Sequence, residues 1–241
     1  KPRQRPHKGE HGLRIIEEKT KLTVCSDAVG NTVKVVFCKV TGRLLEYTFE
    51  GISYLREGFA PNVRRALIDN DMYKIRDWKE KYFIHKQQEQ LESFTYSSEK
   101  DYIAVHISTH FSFLNQAFGF KCEYRYRIFS GGEIELDLKA RSFSYTDFSP
   151  QMIPRAGIEF SVPLQFDRVK WYGLGFTENY CDMKAHVQKS VYSASVQEMH
   201  TEYVKPQENG HREEVEWLLL SGAGKGLVFT FEKPVGINIH D

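Results

Sequence analysis

The sequence predicts an all-β protein of antiparallel strands with one short surface helix, and three observations carry that prediction. Apolar residues alternate with polar ones, or run together, in short segments bounded by Gly, Asn, Asp and Pro along most of the chain. A hairpin near the middle explains itself residue by residue. Helical spacing occurs convincingly in one stretch, and no strand–helix alternation of the kind a parallel sheet needs is present.

The strand segments, in order, are TKLTVCS (20–26), TVKVVFCKV (32–40), RLLEYTF (43–49), DYIAVHISTHF (101–111), KCEYRYRIF (121–129), GEIELDLKARSF (132–143), GIEFSV (157–162), DRVKWYG (167–173), EVEWLLL (214–220) and KGLVFTFE (225–232). Thr41-Gly42 suggests a tight turn between two of them. If Ser130-Gly131-Gly132 is a three-residue loop, Arg127 faces Glu135, Arg125 faces Asp137 and Glu123 faces Lys139, while Ile128, Tyr126 and Tyr124 face Ile134, Leu136 and Leu138. A loop one residue shorter would set Arg127 against Leu136 and mix the faces, so the pattern selects the register. In DNDMYKIRDWKEKYF (69–83), Ile75, Trp78 and Tyr82 fall at helical spacing and Asn70 or Asp71 can cap the first turn. That stretch is expected to be the short surface helix.

The chain of 241 residues reads as one β-domain over residues 19–241, preceded by a charged start, residues 1–18, expected to be a flexible linker or the stub of an upstream domain. Pro150 and Pro154 leave strands on both sides and mark no boundary. Lysines and arginines total 33 against 32 acidic residues, a net charge of +1, so the basic footprint of a nucleic-acid binder is missing. No apolar run approaches the ~18 residues of a membrane span. Cys25, Cys38, Cys122 and Cys181 form no CxxC pair and are expected to be reduced thiols. Reduced thiols favour a cytoplasmic location; a leader cut from a longer parent leaves a periplasmic or secreted one open. Aromatic residues make up 14% of the chain, and core packing explains most of them, a sugar-stacking platform being the other reading.

Two polar clusters draw attention. WYGLGFTENYCDMK (171–184) carries Glu178, Asn179, Tyr180 and Asp182, and YVKPQENGHREE (203–214) carries Gln207, Glu208 and Asn209 beside Tyr203, His211 and Arg212. Glu178, Asp182 and Glu208 are the carboxyl groups that could form the pair glycoside hydrolysis uses, or could bond backbone groups in loops. His106, His110, His186 or His211 with Glu178 or Glu208 could supply an acid–base pair. His106 and His110 sit four apart in a strand, ~13 Å apart along it, which argues against a shared metal. DNDM lacks the Gly and distal Glu of a calcium loop. There is no G-x-S-x-G elbow, phosphate-binding Gly loop or H-E-x-x-H.

Together these clusters resemble the C-terminal β-sandwich domain of the large β-galactosidases of glycoside hydrolase family 2. That family carries WYG-x-G-P-x-ENY-x-DR followed by Y-x-x-PQENG-x-R. The matches here are Trp171, Tyr172, Gly173, Gly175, Glu178, Asn179, Tyr180 and Asp182, then Tyr203, Pro206, Gln207, Glu208, Asn209, Gly210 and Arg212. RALIDND resembles the family's RAPTDND through Arg65, Ala66, Asp69, Asn70 and Asp71, and IPRAGIEF, with Arg155, resembles a fourth motif. Phe176, Met183, Leu67, Ile68 and Arg64 depart from the family's pattern.

The resemblance implies a galactose-mutarotase-like supersandwich of two large antiparallel sheets. It assigns the catalytic glutamates to a separate barrel, so no catalytic residue is expected in this chain and the chain alone should not cleave lactose. Trp171, Tyr172, Glu178, Asn179, Tyr180, Asp182, Tyr203, Gln207, Glu208, Asn209 and Arg212 would bind carbohydrate or, the favoured reading, brace the wall that meets the barrel. Arg65, Asp69, Asn70, Asp71 and Arg155 would be structural. No cofactor or metal is expected, any need of the parent for Mg or Na being placed in other domains. The expected partner is a catalytic barrel domain or large subunit, with a galactoside bound weakly if at all, and with neither nucleic acid nor membrane. The family's domain continues past GINIHD, so the segment is expected to be truncated before its last strands, leaving an edge that favours a homo-oligomer. A stand-alone mutarotase-like epimerase and a carbohydrate-binding module are the alternative readings.

Overall fold

The computed structural model describes residues 3–4, 12–26 and 32–240. Contacts gather in two compact units, Lys1–Arg64 with Met72–Val162, and Arg65–Asp71 with Pro163–Asp241. Both are built from antiparallel strands, as the sequence predicts.

In the first unit, β1 (Arg3–Gln4), β2 (Leu13–Glu17), β3 (Lys21–Ser26), β4 (Val33–Cys38), β5 (Leu44–Phe49) and β6 (Ile52–Ser53) form one sheet in that order. Strand β7 (Glu57–Asn62) pairs with a later strand, Gly157–Ser161. Strands β8 (Gln87–Ser98), β9 (Tyr102–Phe113), β10 (Phe118–Phe129) and β11 (Ile134–Ser144) form a four-stranded meander, and β12 spans Gly157–Ser161. The two larger sheets face each other. Phe37 of β4 meets Tyr126 of β10 at 5.1 Å between ring centroids. Arg43 pairs with buried Glu89 at 2.5 Å, whose other oxygen accepts from the Thr109 and Tyr124 hydroxyls at 2.6 and 2.7 Å. Cys122 lies in the same interior, and burial, helped by the Glu89 charge, pushes its thiol up to about 12. All four cysteines are free thiols.

The hairpin register is the one the charges select: Arg127 faces Glu135, Arg125 faces Asp137 and Glu123 faces Lys139. Tyr124, Tyr126 and Ile128 are buried behind them. At the Thr41-Gly42 turn, Gly42 has φ +75°, and a Cβ there would lie 2.7 Å from Ile107. Both facts call for glycine.

Two expectations change. The short helix is a 3₁₀ turn, Asp69–Tyr73, followed by a π-helix, Asp77–Lys81. Five residues are too few to hold helical geometry by themselves, so tertiary contacts decide its form. Trp78 is buried with its Nε1 donating to Met152 O at 3.1 Å, and Tyr82 packs on Phe148 at 5.2 Å. The charged start is not wholly linker either. Leu13–Glu17 is strand β2, with Leu13 buried, because LRIIE brings enough apolar surface to pair with β3. Residues 1–2 and 5–11 of that expected linker lie outside the described residues.

The second unit holds one sheet, ordered β14 (Gln188–Ser195), β13 (Arg168–Gly175), β15 (Arg212–Gly222), β16 (Lys225–Ile237). Val169, Trp171, Ala194, Leu218 and Leu220 are buried on one side of it. A four-residue helix, α1 (Val196–Met199), follows β14 and is closed by a reciprocal cap in which Ser195 and Glu198 each bond the other's backbone N–H. Among the described residues no helix is long and apolar enough to cross a membrane.

Candidate functional site: a buried polar cluster

The two polar motifs meet in the second unit, where the chain leaves β13 and again where it enters β15. Asn179 is fully buried, and its backbone N–H and side-chain oxygen join these segments. Its N–H donates to His211 O at 2.9 Å, its Nδ2 to Thr177 O at 3.0 Å, and its Oδ1 accepts from Glu213 N at 2.9 Å. An amide is required because the site needs both a donor and an acceptor.

Glu178 is buried beside it. Its Oε2 accepts from Gly210 N at 2.8 Å and its Oε1 from the Tyr203 hydroxyl. That bond, with burial, raises the Tyr203 pKa. Gly210 has φ +75°, and a Cβ there would lie 2.9 Å from Met199 O, so the turn that offers this N–H needs glycine. Glu208 is the counterpart. Its Oε2 accepts from Ala66 N at 3.0 Å and its Oε1 from Asn238 Nδ2 at 2.8 Å. Asn238 Nδ2 also donates to Asn209 O at 3.0 Å, which turns its Oδ1 toward His211 Nδ1. Asn209 closes its own turn, donating to Gln207 O at 3.1 Å and accepting from Thr201 N at 3.3 Å.

His211 Nε2 lies 2.8 Å from Glu213 Oε1, and Lys184 reaches the same carboxylate at 3.3 Å. Burial acts to raise the Glu213 pKa, but its bonds to His211 and Lys184 outweigh burial and hold it below the usual carboxylate value. Arg212 is 2% exposed. Its Nε donates to Phe176 O at 3.0 Å, and its guanidinium lies 5.7 Å from the Trp171 ring centre. Burial lowers its pKa, opposed by the charge of Glu178. Tyr180 stacks on His211 at 5.3 Å. Its hydroxyl is buried with no hydrogen-bond partner among the described residues, and burial, then the charges of Glu178 and Glu208, raise its pKa.

The segment 65–71 belongs to this unit and is folded on itself. Arg65 grips Asp71 through two bonds of 2.6 and 3.0 Å, and Ile68 N donates to Asp71 Oδ2 at 2.9 Å. Asp69 and Asn70 are exposed.

The structure therefore gathers Glu178, Asn179, Tyr180, Tyr203, Gln207, Glu208, Asn209 and Arg212, with Arg65 and Asp71 behind them, and leaves other residues out. Asp182 is exposed. Trp171 is sealed in the core with its Nε1 donating to Leu174 O at 3.1 Å, so it offers no surface to a ligand. Tyr172, next in sequence, points to the opposite face of the sheet and is half-buried. Arg155 lies in the first unit, before β12, and His106 and His110 lie on β9 of that unit. Of the remaining histidines, His186 meets the Glu178 carbonyl at 3.1 Å and His211 meets Asn238 and Glu213. Sequence reasoning missed Asn238, whose segment GINIHD gives no local sign of its part. Among the described residues, no group of three or more His, Cys, Asp or Glu side chains could hold a metal ion.

Residues 29–237 match the family described as beta galactosidase small chain. A β-galactosidase of Priestia megaterium is 27% identical over 94% of this chain and 21% of its own length. One of Vibrio cholerae is 30% identical over 73% of this chain and 18% of its own. One of Kluyveromyces lactis is 28% identical over 86% of this chain and 20% of its own. The chain thus spans about a fifth of the length of the curated relatives it matches.

Proposed function

Given that the chain belongs to the β-galactosidase small-chain family, we propose that it is a non-catalytic component of a β-galactosidase, whose polar cluster holds the loops of the second unit in shape for contact with the catalytic part. The observation that carries this reading is the state of the two best candidate carboxylates. Glu178 accepts from Tyr203 and Gly210 N, and Glu208 from Ala66 N and Asn238, so the protein's own donors already occupy both. A nucleophile or general acid must face substrate, and a carboxylate used to tie three chain segments together acts as a strut. The histidines favour the same reading over a mutarotase, since His186 bonds a carbonyl oxygen and His211 is engaged by Asn238 and Glu213.

The partner is a catalytic domain or large subunit that carries its own carboxylate pair, the substrate a terminal β-galactoside, and the location the cytoplasm. Any galactoside contact from the cluster itself is weak. The test is hydrolysis of a chromogenic β-galactoside by the chain alone, by the catalytic part alone, and by the two together. The expected result is background turnover by the chain alone and activity in the combination, reduced by Glu208→Ala. Turnover by the chain alone that disappears in Glu178→Gln would overturn the proposal.

A further inference from the structure

The sheet of the second unit has an open face that the polar cluster does not use. Strand register places Val191, Tyr172, Trp217 and Thr230 side by side across all four strands. Two residues further along, ~6.8 Å away, the next row is Ser193, Lys170, Leu219 and Val228. Val191 and Val228 are 49% and 60% exposed, while Tyr172, Trp217 and Leu219 are half-buried. A shallow cavity of about 230 Å³ lies over the second row and beyond it, lined by Arg168, Lys170, Ser193, Glu198, Leu219 and Ser221. None of these residues belongs to the polar cluster.

The chemistry of this face is mixed in a particular way. Tyr172 and Trp217 are cross-strand neighbours on this face, with Lys189 Nζ 5.4 Å from the Tyr172 ring centre and itself held by Glu216 at 2.6 Å. Lys170 has no ion-pair partner among the described residues. Glu198, the acid whose charge interacts with Arg168, is tied to the Ser195 N–H at 2.7 Å and hydroxyl at 3.0 Å. Two exposed cations, Lys170 and, with Glu198 near it, Arg168, flank hydroxyls one row from the aromatic pair. A protein partner is better served by a continuous apolar patch, which Thr230, Lys170 and the serines interrupt. A nucleic acid needs a broader basic footprint. A saccharide needs both halves, because the C–H face of a sugar ring packs on aromatic rings while its substituents require polar partners.

We propose that this face binds an acidic oligosaccharide, with one sugar ring stacked on Tyr172 and Trp217 and the carboxylate or sulfate of the next ring held by Lys170 and Arg168. The test is titration of the full chain with digalacturonate and with its neutral counterpart galactobiose, followed by tryptophan fluorescence and calorimetry. Trp78 and Trp171 are buried, at 5% and 0% exposure, so a change in emission reports Trp217. The expected result is saturable binding of digalacturonate roughly three- to tenfold tighter than galactobiose, since two exposed ion pairs each contribute a few-fold at most. That preference is expected to vanish at about 1 M salt and to shrink by a few-fold in Lys170→Gln. By calorimetry, Trp217→Ala loses binding and Trp217→Phe keeps it. Equal affinity for the two sugars, no saturable binding of either, or unchanged affinity in Trp217→Ala would overturn the proposal.

Discussion

Asn179→Ala offers the sharpest test of the polar cluster as a structural clasp, because the bonds of this side chain can be counted. The substitution removes the donor to Thr177 O at 3.0 Å and the acceptor for Glu213 N at 2.9 Å, in a place with no exposure to water. The backbone bond from residue 179 to His211 O survives. A buried N–H left unpaired costs about 1–3 kcal/mol, and a carbonyl that loses one bond costs somewhat less. The total is about 2–4 kcal/mol. At about 2–4 °C per kcal/mol for a protein of this size, the melting temperature should fall by about 4–16 °C. Asn179→Asp is the control: it keeps the acceptor for Glu213 N but turns a carboxylate oxygen toward Thr177 O, so it should not restore stability. Urea denaturation with matched slopes, alongside thermal melting, gives both numbers. A melting temperature for Asn179→Ala within about 1 °C of the parent would refute the reasoning, as would full rescue by Asp.

Three further outcomes follow from the same geometry. Gly210→Ala should destabilise by about 1–3 kcal/mol, since a side chain at φ +75° is strained and its Cβ meets Met199 O at 2.9 Å; denaturant unfolding measures it, and a neutral result would contradict the turn geometry. The Glu213 carboxylate is depressed in the fold, so its contribution to stability is in place above its unfolded value, 4.5, and is lost as pH falls through the lower folded value. Melting temperature against pH should therefore decline less steeply below 4.5 in Glu213→Gln than in the parent, and parallel curves would count against the clasp to His211 and Lys184. Arg127→Ala should cost no more than about 0.2–1 kcal/mol by urea denaturation, because the pair with Glu135 at 2.6 Å has side chains 51% and 41% exposed.

Where the sequence could be read and where it could not follows physical lines. The β10–β11 hairpin was legible to the residue because two independent constraints, opposite charges on one face and apolar residues on the other, accept a single loop length. Strands β8 and β14 escaped because QQEQLESFTYSS and QKSVYSAS lie at sheet edges, where one flank pairs with nothing and polar residues are tolerated on both faces. The reciprocal cap at Ser195 and Glu198 was written in the sequence as S-x-x-E, yet the helix behind it is four residues long and gives no periodicity to notice. In the candidate site, the motif residues were legible as a set, but their roles were not. Asn238 joins Glu208, Asn209 and His211 from nearly thirty residues away, and no local pattern announces such a bond.

The dipeptide Trp171-Tyr172 shows why a motif's residues need separate accounts. Side chains on a strand alternate between faces, so two neighbours that look alike in sequence meet opposite environments. Trp171 turns inward, loses all contact with solvent, and lies under the Arg212 guanidinium, where it supports the strand that carries the Glu178 segment. Tyr172 turns outward to stand between Val191 and Trp217. Replacing Trp171 removes the floor of the polar cluster, whereas replacing Tyr172 alters the open face while the residues beneath stay packed. If the two substitutions gave the same loss of stability, the assignment of one residue to the clasp and the other to the surface would be wrong; if Trp171→Ala unfolds the second unit while Tyr172→Ala keeps it folded, the two faces of one strand carry separable roles.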